Sequence, residues 1–257
     1  MLRKLFRAKS APASLPALPD GVRVYAFGDI HGRLDLLEPL LAAVEADDAA
    51  SGGKPATLIF LGDLVDRGPD SARVVERLMR LAKERPSTRF LLGNHEEIMM
   101  KTIDGDDKMC RLFDRVGGRE TSLSYGMSEA DYGHSNFADL AVLLKRQVPD
   151  SHQHFLRDFE DMIVLGDYAF VHAGIRPGVP LEEQQTIDLR WIREPFLSHT
   201  GPHPRMIVHG HTIRSEVDQR PNRIGIDTGS YATGRLTAVR LEGDSVRFLQ
   251  HAGEPGA

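Results

Sequence analysis

The sequence is poor in several features that would assign it at once to a familiar class of protein. Its 257 residues contain one cysteine, Cys110, which excludes an intrachain disulfide and a cysteine-rich zinc site. No apolar run approaches the roughly 18 residues of a membrane span. A P-loop, a G-x-G-x-x-G fingerprint and a G-x-S-x-G elbow are also absent. Any metal site must rest on the 11 histidines and the carboxylates, and a reducing, cytoplasmic setting is expected.

The sequence also lacks an excess of positive charge. Its formal net charge is −5, so it has no general attraction to the phosphates of nucleic acid, and no nucleic-acid module is indicated. A hydrophobic content of 41% and a charged content of 27% are ordinary for a globular protein. The length allows one large domain or two small ones with a substantial core.

The first residues are basic and amphipathic but lack the apolar segment of a secretory signal. We interpret residues 1–20 as a disordered basic tail followed by a linker rich in Pro and Ala over residues 11–19. Residues 1–9 are too short for a stable isolated helix. Contact of these nine residues with an anionic membrane surface is the alternative.

The most informative stretch runs from Gly62 to Gly68. The apolar run at 57–61 predicts a buried strand, so Asp63 and Asp66 should emerge at its carboxyl end, where α/β sheets bind ligands. Two carboxylates, an Arg beside the second, and a glycine at each end fit a tight loop that holds cations and an anion. Alone, such a pattern is more often a polar surface loop with a salt bridge.

Four further predicted strands end in the same way, with Asp, Asn or His beside glycine. They are residues 22–27 before Gly28-Asp29-Ile30-His31-Gly32, 89–92 before Gly93-Asn94-His95-Glu96, 168–171 before His172-Ala173-Gly174, and 206–208 before His209-Gly210-His211. Helices predicted after the first two strands indicate a parallel βαβαβ core with its loops at one edge. A histidine at a strand end is usually a hydrogen-bonded core residue, but five such endings are hard to explain that way.

The remaining segments are less informative. Residues 104–160 are interpreted as a mostly helical insertion at the rim of this edge, which either contributes to substrate choice or only covers the core. Three predicted strands at 224–229, 236–241 and 246–249 favour a second, largely antiparallel sheet. Asp227 either supports the site or only forms a turn. Arg193 is either a surface charge or a second anion clamp.

In this order, the five motifs resemble those of metallophosphoesterases of the serine/threonine phosphoprotein phosphatase type, from about residue 22 to residue 230. The resemblance implies a four-layer α/β/β/α sandwich of two mixed sheets flanked by helices, formed by one domain over residues 21–252. It also implies two divalent metal ions, most commonly manganese, with iron or zinc as alternatives.

Carried over by position, the resemblance implies a role for each motif residue. Asp29 and His31 would hold the first metal, Asp63 would bridge both, and Asn94, His172 and His211 would complete the second. The phosphoryl oxygens would be bound by Arg67, Arg193 and Asn94. His95 would act as general acid with Asp66 orienting its ring. Because the motif here reads His209-Gly210-His211, we expect His211 to be the ligand and His209 a neighbour.

The implied reaction is direct attack of a hydroxide, shared by the two metals, on a phosphomonoester. Phosphoserine and phosphothreonine in proteins are the expected substrates, so a phosphoprotein or a phosphorylated small molecule is the expected partner. The alternative is a symmetrical dinucleoside tetraphosphate hydrolase that could also act on capped RNA 5′ ends. Some of those relatives lack the second acid of the loop, so the presence of Asp66 favours the protein phosphatase over the dinucleoside tetraphosphate hydrolase. A non-catalytic phosphate-binding module is disfavoured because no motif is degraded.

Overall fold

The computed structural model describes residues 15–255 and contains two five-stranded sheets. The strands of the first sheet are, in spatial order, β10 (Ser245–Ala252), β9 (Arg235–Glu242), β1 (Arg23–Phe27), β2 (Thr57–Phe60) and β3 (Arg89–Phe90). Those of the second sheet are β4 (Met162–Leu165), β5 (Tyr168–Val171), β6 (Met206–His209), β8 (Arg223–Gly225) and β7 (Asp218–Gln219). Each sheet combines parallel and antiparallel pairs, which confirms the prediction of two mixed sheets.

Helices cover the outer faces of the sheets. They are α1 (Leu34–Ser51), α2 (Ser71–Glu84), α3 (Asn94–Ile103), α4 (Asp107–Arg115), α5 (Gly118–Ser124), α6 (Glu129–His134), α7 (Phe137–Gln147), α8 (Asp150–Arg157), α9 (Thr186–Trp191) and α10 (Ser230–Thr233). A 3₁₀ turn occupies Leu181–Glu183. Within residues 15–255, no helix combines the length and the apolar character that crossing a bilayer requires.

Alternation of side chains along the strands builds four layers. Tyr25 and Phe27 of β1 face a core that they share with α1, α2 and α3. The intervening Val24 and Ala26 face a second core, shared with β5 and β6 of the other sheet. The outer face of that sheet packs with α9. The order helix, sheet, sheet, helix confirms the predicted sandwich.

The segment 104–160 contains five of the helices, α4 to α8. Phe113 of α4 and Leu144 of α7 are fully buried in the core that also contains α1 and α2. This part of the chain therefore covers the first sheet. It also contacts the loop after β2, as described below.

The C-terminal strands are not arranged as the sequence suggested. A second, largely antiparallel sheet was expected from them, but β9 lies antiparallel to β1 in the first sheet, with Ala26 opposite Val239. β10 pairs with β9, and only β8 joins the second sheet, parallel to β6. The reason is burial, because β9 has apolar residues on both faces and fits beside another buried strand. Strand β4 was not predicted; it forms a hairpin with β5.

The N-terminal segment contacts the domain around Leu18. Leu18 is buried between the sheets, and its backbone N–H donates to the carbonyl of Gly243. The backbone N–H of Ala17 donates to a carboxylate oxygen of Asp167 at 3.1 Å. Ala17 and Leu18 therefore anchor this part of the predicted linker to the domain. The basic stretch at residues 1–9 lies outside the described residues.

Three phenylalanines stack across the parallel strands of the first sheet. Phe27 and Phe60 are paired in register with ring centroids 4.6 Å apart, and Phe60 and Phe90 are 5.2 Å apart. Such stacked rings stabilise the fold beyond the contribution of the apolar area that each side chain buries. Phe60 lies in the middle and is fully buried.

We expect Phe60→Ala to lower the free energy of unfolding by about 3–5 kcal/mol, because it leaves a cavity in the middle of this stack. Urea denaturation followed by circular dichroism measures the change. The matched control is Val142→Ala on α7, where the side chain is 67% exposed and a change within about 0.5 kcal/mol is expected. A loss below about 1 kcal/mol for Phe60→Ala would contradict the packing described here.

Candidate active site

Five loops bring polar side chains together at the carboxyl ends of strands. The loops follow β1, β2, β3, β5 and β6. They contribute Asp29, His31, Asp63, Asn94, His172 and His211, all of which are buried. Burial of so many polar groups is unfavourable unless they pair with one another or hold ions. The predicted ligands therefore lie close together in space.

Asp63 lies at the centre of this group. Its Oδ2 is 3.6 Å from Nε2 of His31, 3.5 Å from Nε2 of His172 and 3.9 Å from Nε2 of His95. Ligand-type atoms of His31, Asp63 and His95 lie within 4.8 Å of one another, and so do those of Asp63, His172 and His211. Asp63 is thus common to two clusters that could each hold a metal ion.

Backbone carbonyls orient two of these imidazoles. Nδ1 of His31 is 2.8 Å from the carbonyl oxygen of Val65, and Nδ1 of His172 is 2.8 Å from that of Leu61. A proton on each Nδ1 would be donated to the carbonyl, which leaves the Nε2 lone pair directed towards Asp63. This arrangement is typical of histidines that bind metal ions.

Asn94 lies between two histidines of the second cluster. Its Oδ1 is 2.9 Å from Nε2 of His172 and 2.8 Å from Nδ1 of His211. An amide oxygen and two imidazole nitrogens therefore surround one position. Because the amide is neutral, it can add a ligand atom without adding negative charge.

Two further acids lie against the clusters. Asp29 accepts a hydrogen bond from the backbone N–H of His211 at 3.0 Å, and Asp227 accepts one from that of Gly229 at 2.9 Å. Burial and then the charge of Asp227 raise the pKa of Asp29 well above its usual value. Burial raises the pKa of Asp227 to about 6, and the charge of Asp63 acts in the same direction.

The donor set fits a pair of divalent cations. The charge of Asp63 contributes to raising the pKa values of two other buried acids, Asp29 and Asp227, and positive charge between the three carboxylates would relieve that repulsion. Burial acts to raise the pKa of Asp63 itself, but the surrounding histidines outweigh burial and hold this pKa well below its usual value. Burial lowers the pKa of His172, but the charge of Asp63 outweighs burial and raises this pKa to about 10. The site thus stabilises positive charge beside Asp63. Its imidazole nitrogens and carboxylate and amide oxygens suit manganese, iron or zinc.

Unusual backbone conformations are concentrated at this site. Among the described residues, positive φ at non-glycine positions occurs only at predicted site residues. These are His31, Asp63, Asp66, Arg67 and His211, with φ from 49° to 70°. Non-glycine residues rarely adopt this region, and they stay there only when their surroundings hold them.

The carboxylate of Glu96 holds the loop after β2. One of its oxygens accepts hydrogen bonds from the backbone N–H of Asp63 at 2.8 Å and of Gly93 at 3.1 Å. The other accepts from Leu64 at 2.7 Å and Val65 at 3.2 Å. Burial raises the pKa of Glu96 to about 7, whereas these donors favour its ionised form. No role for Glu96 was predicted, although it closes the motif after β3.

His95 and Asp66 form a hydrogen-bonded pair beside the clusters. Nδ1 of His95 is 2.7 Å from Oδ2 of Asp66. Burial lowers the pKa of His95, but the charges of Asp63 and Asp66 outweigh burial and leave it above its ordinary value. Thr121 donates its hydroxyl proton to the other oxygen of Asp66 at 2.7 Å and accepts from the Asp66 backbone N–H at 2.8 Å. No sequence signal pointed to Thr121.

Arg67 is held from the insertion side. Its backbone N–H donates to the carbonyl of Gly117 at 3.0 Å, and its Nε donates to that of Val116 at 3.3 Å. A Cβ at position 117 would lie 2.8 Å from Cγ of Arg67, so glycine is required for this close approach. Nη2 of Arg67 is 3.1 Å from Nε2 of His95, and its guanidinium lies 4.4 Å from the ring centroid of Tyr231.

These groups surround a cavity of about 360 Å³, here called the catalytic cavity. It is lined by His31, Asp63, Arg67, Asn94, His95, Arg193, His211, Thr212, Ile213, Asp227 and Tyr231. Arg193 therefore faces the same space as Arg67. Asp227 also lines this cavity, whereas the sequence did not distinguish a role at the site from a simple turn. Tyr231 was not predicted because it follows no recognisable motif.

His209 lies behind the site. Its Nδ1 is 3.0 Å from the carbonyl oxygen of Gly210, and its ring packs edge-on against Phe196 with centroids 5.0 Å apart. It belongs to neither of the two ligand clusters found among residues 15–255. His211 is a member of one of these clusters, and His209 lies beside them.

A sandwich of this kind, with Asp, Asn and His side chains clustered at one edge of its sheets, is the architecture of metallophosphoesterases. A family model described as calcineurin-like phosphoesterase matches residues 22–240, a range that includes every predicted site residue. The chain therefore belongs to the calcineurin-like phosphoesterases.

Curated relatives have more specific names. The asymmetrical bis(5′-nucleosyl)-tetraphosphatase of Anoxybacillus flavithermus is 28% identical over 236 residues, which cover 83% of this chain and 88% of the relative. The symmetrical bis(5′-nucleosyl)-tetraphosphatase of Acidovorax sp. is 45% identical over 90 residues, covering 34% of this chain and 28% of the relative. A crystal structure of a protein provisionally described as a diadenosine tetraphosphatase superposes with a TM-score of 0.65 at 23% identity. It covers 94% of this chain and 100% of its own, and it supports the fold.

We expect Asp63→Asn to lose bound metal, because it removes negative charge from the position that both clusters share. The protein would be loaded with manganese, desalted and measured by elemental analysis. The matched control is Asp70→Asn, whose carboxylate pairs with Arg73 at the start of α2 and should not affect metal content. If the Asp63→Asn protein retained as much metal as the control, Asp63 would not be a ligand common to the two clusters.

Proposed function

We propose that this metallophosphoesterase hydrolyses the polyphosphate chain of dinucleoside tetraphosphates. The observation that carries the proposal is the similarity to a relative of that name over 83% of this chain and 88% of the relative. A phosphoprotein substrate was the first expectation from sequence, whereas the relatives favour dinucleoside tetraphosphates, the substrate class of the alternative. The relative matched over most of the chain is named asymmetrical, while the alternative was a symmetrical hydrolase. The charge of the catalytic cavity is compatible with a polyphosphate because two arginines face it.

We assign the ligand residues as follows. Asp29, His31 and Asp63 would hold one cation, and Asp63, Asn94, His172 and His211 would hold the other. When bound, a pair of divalent cations lowers the pKa of a water molecule and neutralises charge on a phosphoryl group. The position of Asp63 beside His31 and His172 supports its shared role.

Arg67 and Arg193 would bind the oxygens of the phosphoryl group that is attacked. A guanidinium offers a planar fork of donors that matches two oxygens of a phosphate. The contacts of Arg67 with Val116 and Gly117 fix its position before substrate arrives. Asn94 lies at the same cavity and could donate from its amide nitrogen while its oxygen faces the histidines.

His95 would donate a proton to the leaving oxygen. The carboxylates of Asp66 and Asp63 favour its protonated form, and Asp66 fixes the orientation of its ring. Thr121 in turn holds the second oxygen of Asp66. With Nδ1 bonded to Asp66, the proton to be donated would be the one on Nε2, which lies 3.1 Å from Nη2 of Arg67 at the catalytic cavity that both residues line.

The intact pair of Asp66 and His95 favours a second candidate, a phosphoserine and phosphothreonine phosphatase. Hydrolysis of a phosphoserine ester expels an alkoxide, which is a strong base and needs a proton from the enzyme. Hydrolysis of a phosphoanhydride expels a phosphate, a weaker base with a pKa of about 6. A complete proton-donating pair is therefore of more use against an ester than against an anhydride.

Side-by-side kinetics on manganese-loaded protein decide between the two candidates. We expect kcat/KM for diadenosine tetraphosphate to exceed that for a phosphoserine peptide by about tenfold or more, which corresponds to about 1.4 kcal/mol of preferential transition-state binding. Chromatography of the products separates ATP plus AMP from two molecules of ADP and so identifies the bond that is cleaved. Turnover of the peptide with none of the dinucleotide would establish the second candidate instead.

We expect His95→Ala to retain its metal and to lower turnover of an alkyl phosphate ester by roughly 100-fold or more, because the leaving oxygen loses its proton donor. Turnover of the dinucleotide should fall by less, since its leaving group is a weaker base. His154→Ala, at an exposed position on α8, is the control. Loss of metal from the position 95 variant would show that His95 is a ligand in the cluster of His31 and Asp63, and not the acid.

A further inference from the structure

A second cavity lies beside the catalytic cavity. Its volume is about 630 Å³, and segments 197–200 and 214–223 provide its lining. This volume is within the range of sites that bind small molecules, about 300–1,000 Å³. No residue of the predicted site lines it, and the reaction described above makes no use of it.

Two short stretches of chain connect the cavities. Arg193 lines the catalytic cavity and Leu197 lines the second cavity, and the backbone N–H of Leu197 donates to the carbonyl of Arg193 at 2.9 Å. A hydrogen-bonded turn therefore joins these two residues. Ile213 and Arg214 are adjacent in the chain and line the catalytic and the second cavity respectively. The cavities are thus neighbours along two separate segments.

The acids of the second cavity are already paired. Asp218 bonds to Arg220 and to Arg223, each at 2.6 Å. Glu216 bonds to Arg235 at 2.9 Å. The negative charge in the lining is therefore neutralised by its own neighbours, and it does not oppose an anionic ligand.

Arg214 differs from the other arginines of this lining. No carboxylate lies within ion-pair distance of its guanidinium among residues 15–255, and the side chain is exposed. Its backbone N–H donates at 3.0 Å to the carbonyl of Asp227, a residue of the catalytic cavity. Arg214 is thus anchored where the two cavities meet, with a guanidinium available to an anion.

The other walls suit a nucleoside. Leu197, Val217 and Pro221 supply apolar surface, and the imidazole of His199 offers a flat ring against which a base can stack. The side chain of Asn222 donates to the carbonyl of His199 at 2.9 Å and to that of Gly201 at 2.7 Å. These bonds fix the loop that carries the imidazole, so this wall is formed before a ligand binds.

We propose that the second cavity binds the nucleotide end of the substrate that is not attacked. Its nucleoside would lie between the apolar wall and His199, and Arg214 would bind an adjoining phosphate. The inference rests on the proposed function, because only a substrate with two nucleotide ends would fill both cavities. Four phosphates separate the two nucleosides, so a substrate attacked in the catalytic cavity can extend past Arg193 and Ile213 into its neighbour.

The test compares two substrates of the manganese-loaded protein, diadenosine tetraphosphate and p-nitrophenyl phosphate, which has no second end. The measured quantity is the ratio of kcat/KM for the dinucleotide to kcat/KM for the small ester. We expect Arg214→Ala to lower this ratio by about tenfold or more, mainly through KM. Thr200→Trp, which fills the cavity from an exposed position, should lower it as well. Arg146→Ala on α7, at an exposed arginine that lines neither cavity, is the matched control.

The outcomes separate the two proposals. A ratio that stays within about twofold of the wild-type value in both variants, while the wild-type protein cleaves the dinucleotide, would overturn the second cavity as a binding site and leave the proposed function intact. An equal loss on both substrates would also overturn it, because the effect would then lie in the catalytic cavity. Wild-type protein that cleaves the small ester but not the dinucleotide would overturn the proposed function and this inference with it.

Discussion

The charge of Asp63 and the imidazoles around it determine how the loops at the sheet edge must be built. To reach His31 and His172 together, Asp63 takes up a left-handed backbone conformation, with φ of 51°. That conformation is held from behind by Glu96, which accepts the Asp63 N–H. A side chain at Gly93 would place its Cβ 2.3 Å from a carboxylate oxygen of Asp63, so this position must be glycine. The loops after β2 and β3 are thus specified by one carboxylate.

The sandwich supplies the constraint on which this arrangement depends. β1, β2 and β3 are parallel in one sheet, and β5 and β6 are parallel in the other. Parallel strands deliver their loops to a common edge, and the shared apolar core keeps the two edges next to one another. Ligands from both sheets can then surround a single position, as His172 and His211 do with Asn94. Rigid sheets hold strained loops in place at the expense of the stability that the core provides.

Most of the clustered site residues could be predicted from the sequence, because each motif directly follows its strand in the chain. A glycine and a polar residue after an apolar run mark a strand end, and the predicted ligands do meet there. Thr121 could not be found in this way, because it lies 55 residues from Asp66 and has no pattern of its own. The same holds for Tyr231, which contacts the site only through the fold. The placement of β9 was predicted wrongly. The local sequence pattern indicates that a segment is a strand, but long-range packing determines which sheet that strand joins.

Contacts from residues 104–160 hold two side chains of the site, Arg67 and Asp66, in place. Val116, Gly117 and Thr121 hold Arg67 and Asp66, and they lie at or beside α5, a helix of seven residues. So short a helix has little stability of its own and depends on packing. Local opening there needs less free energy than unfolding of the whole domain, and it would release both side chains while the sheets stayed intact. Activity is therefore expected to be lost at a lower temperature or denaturant concentration than the one at which the core unfolds.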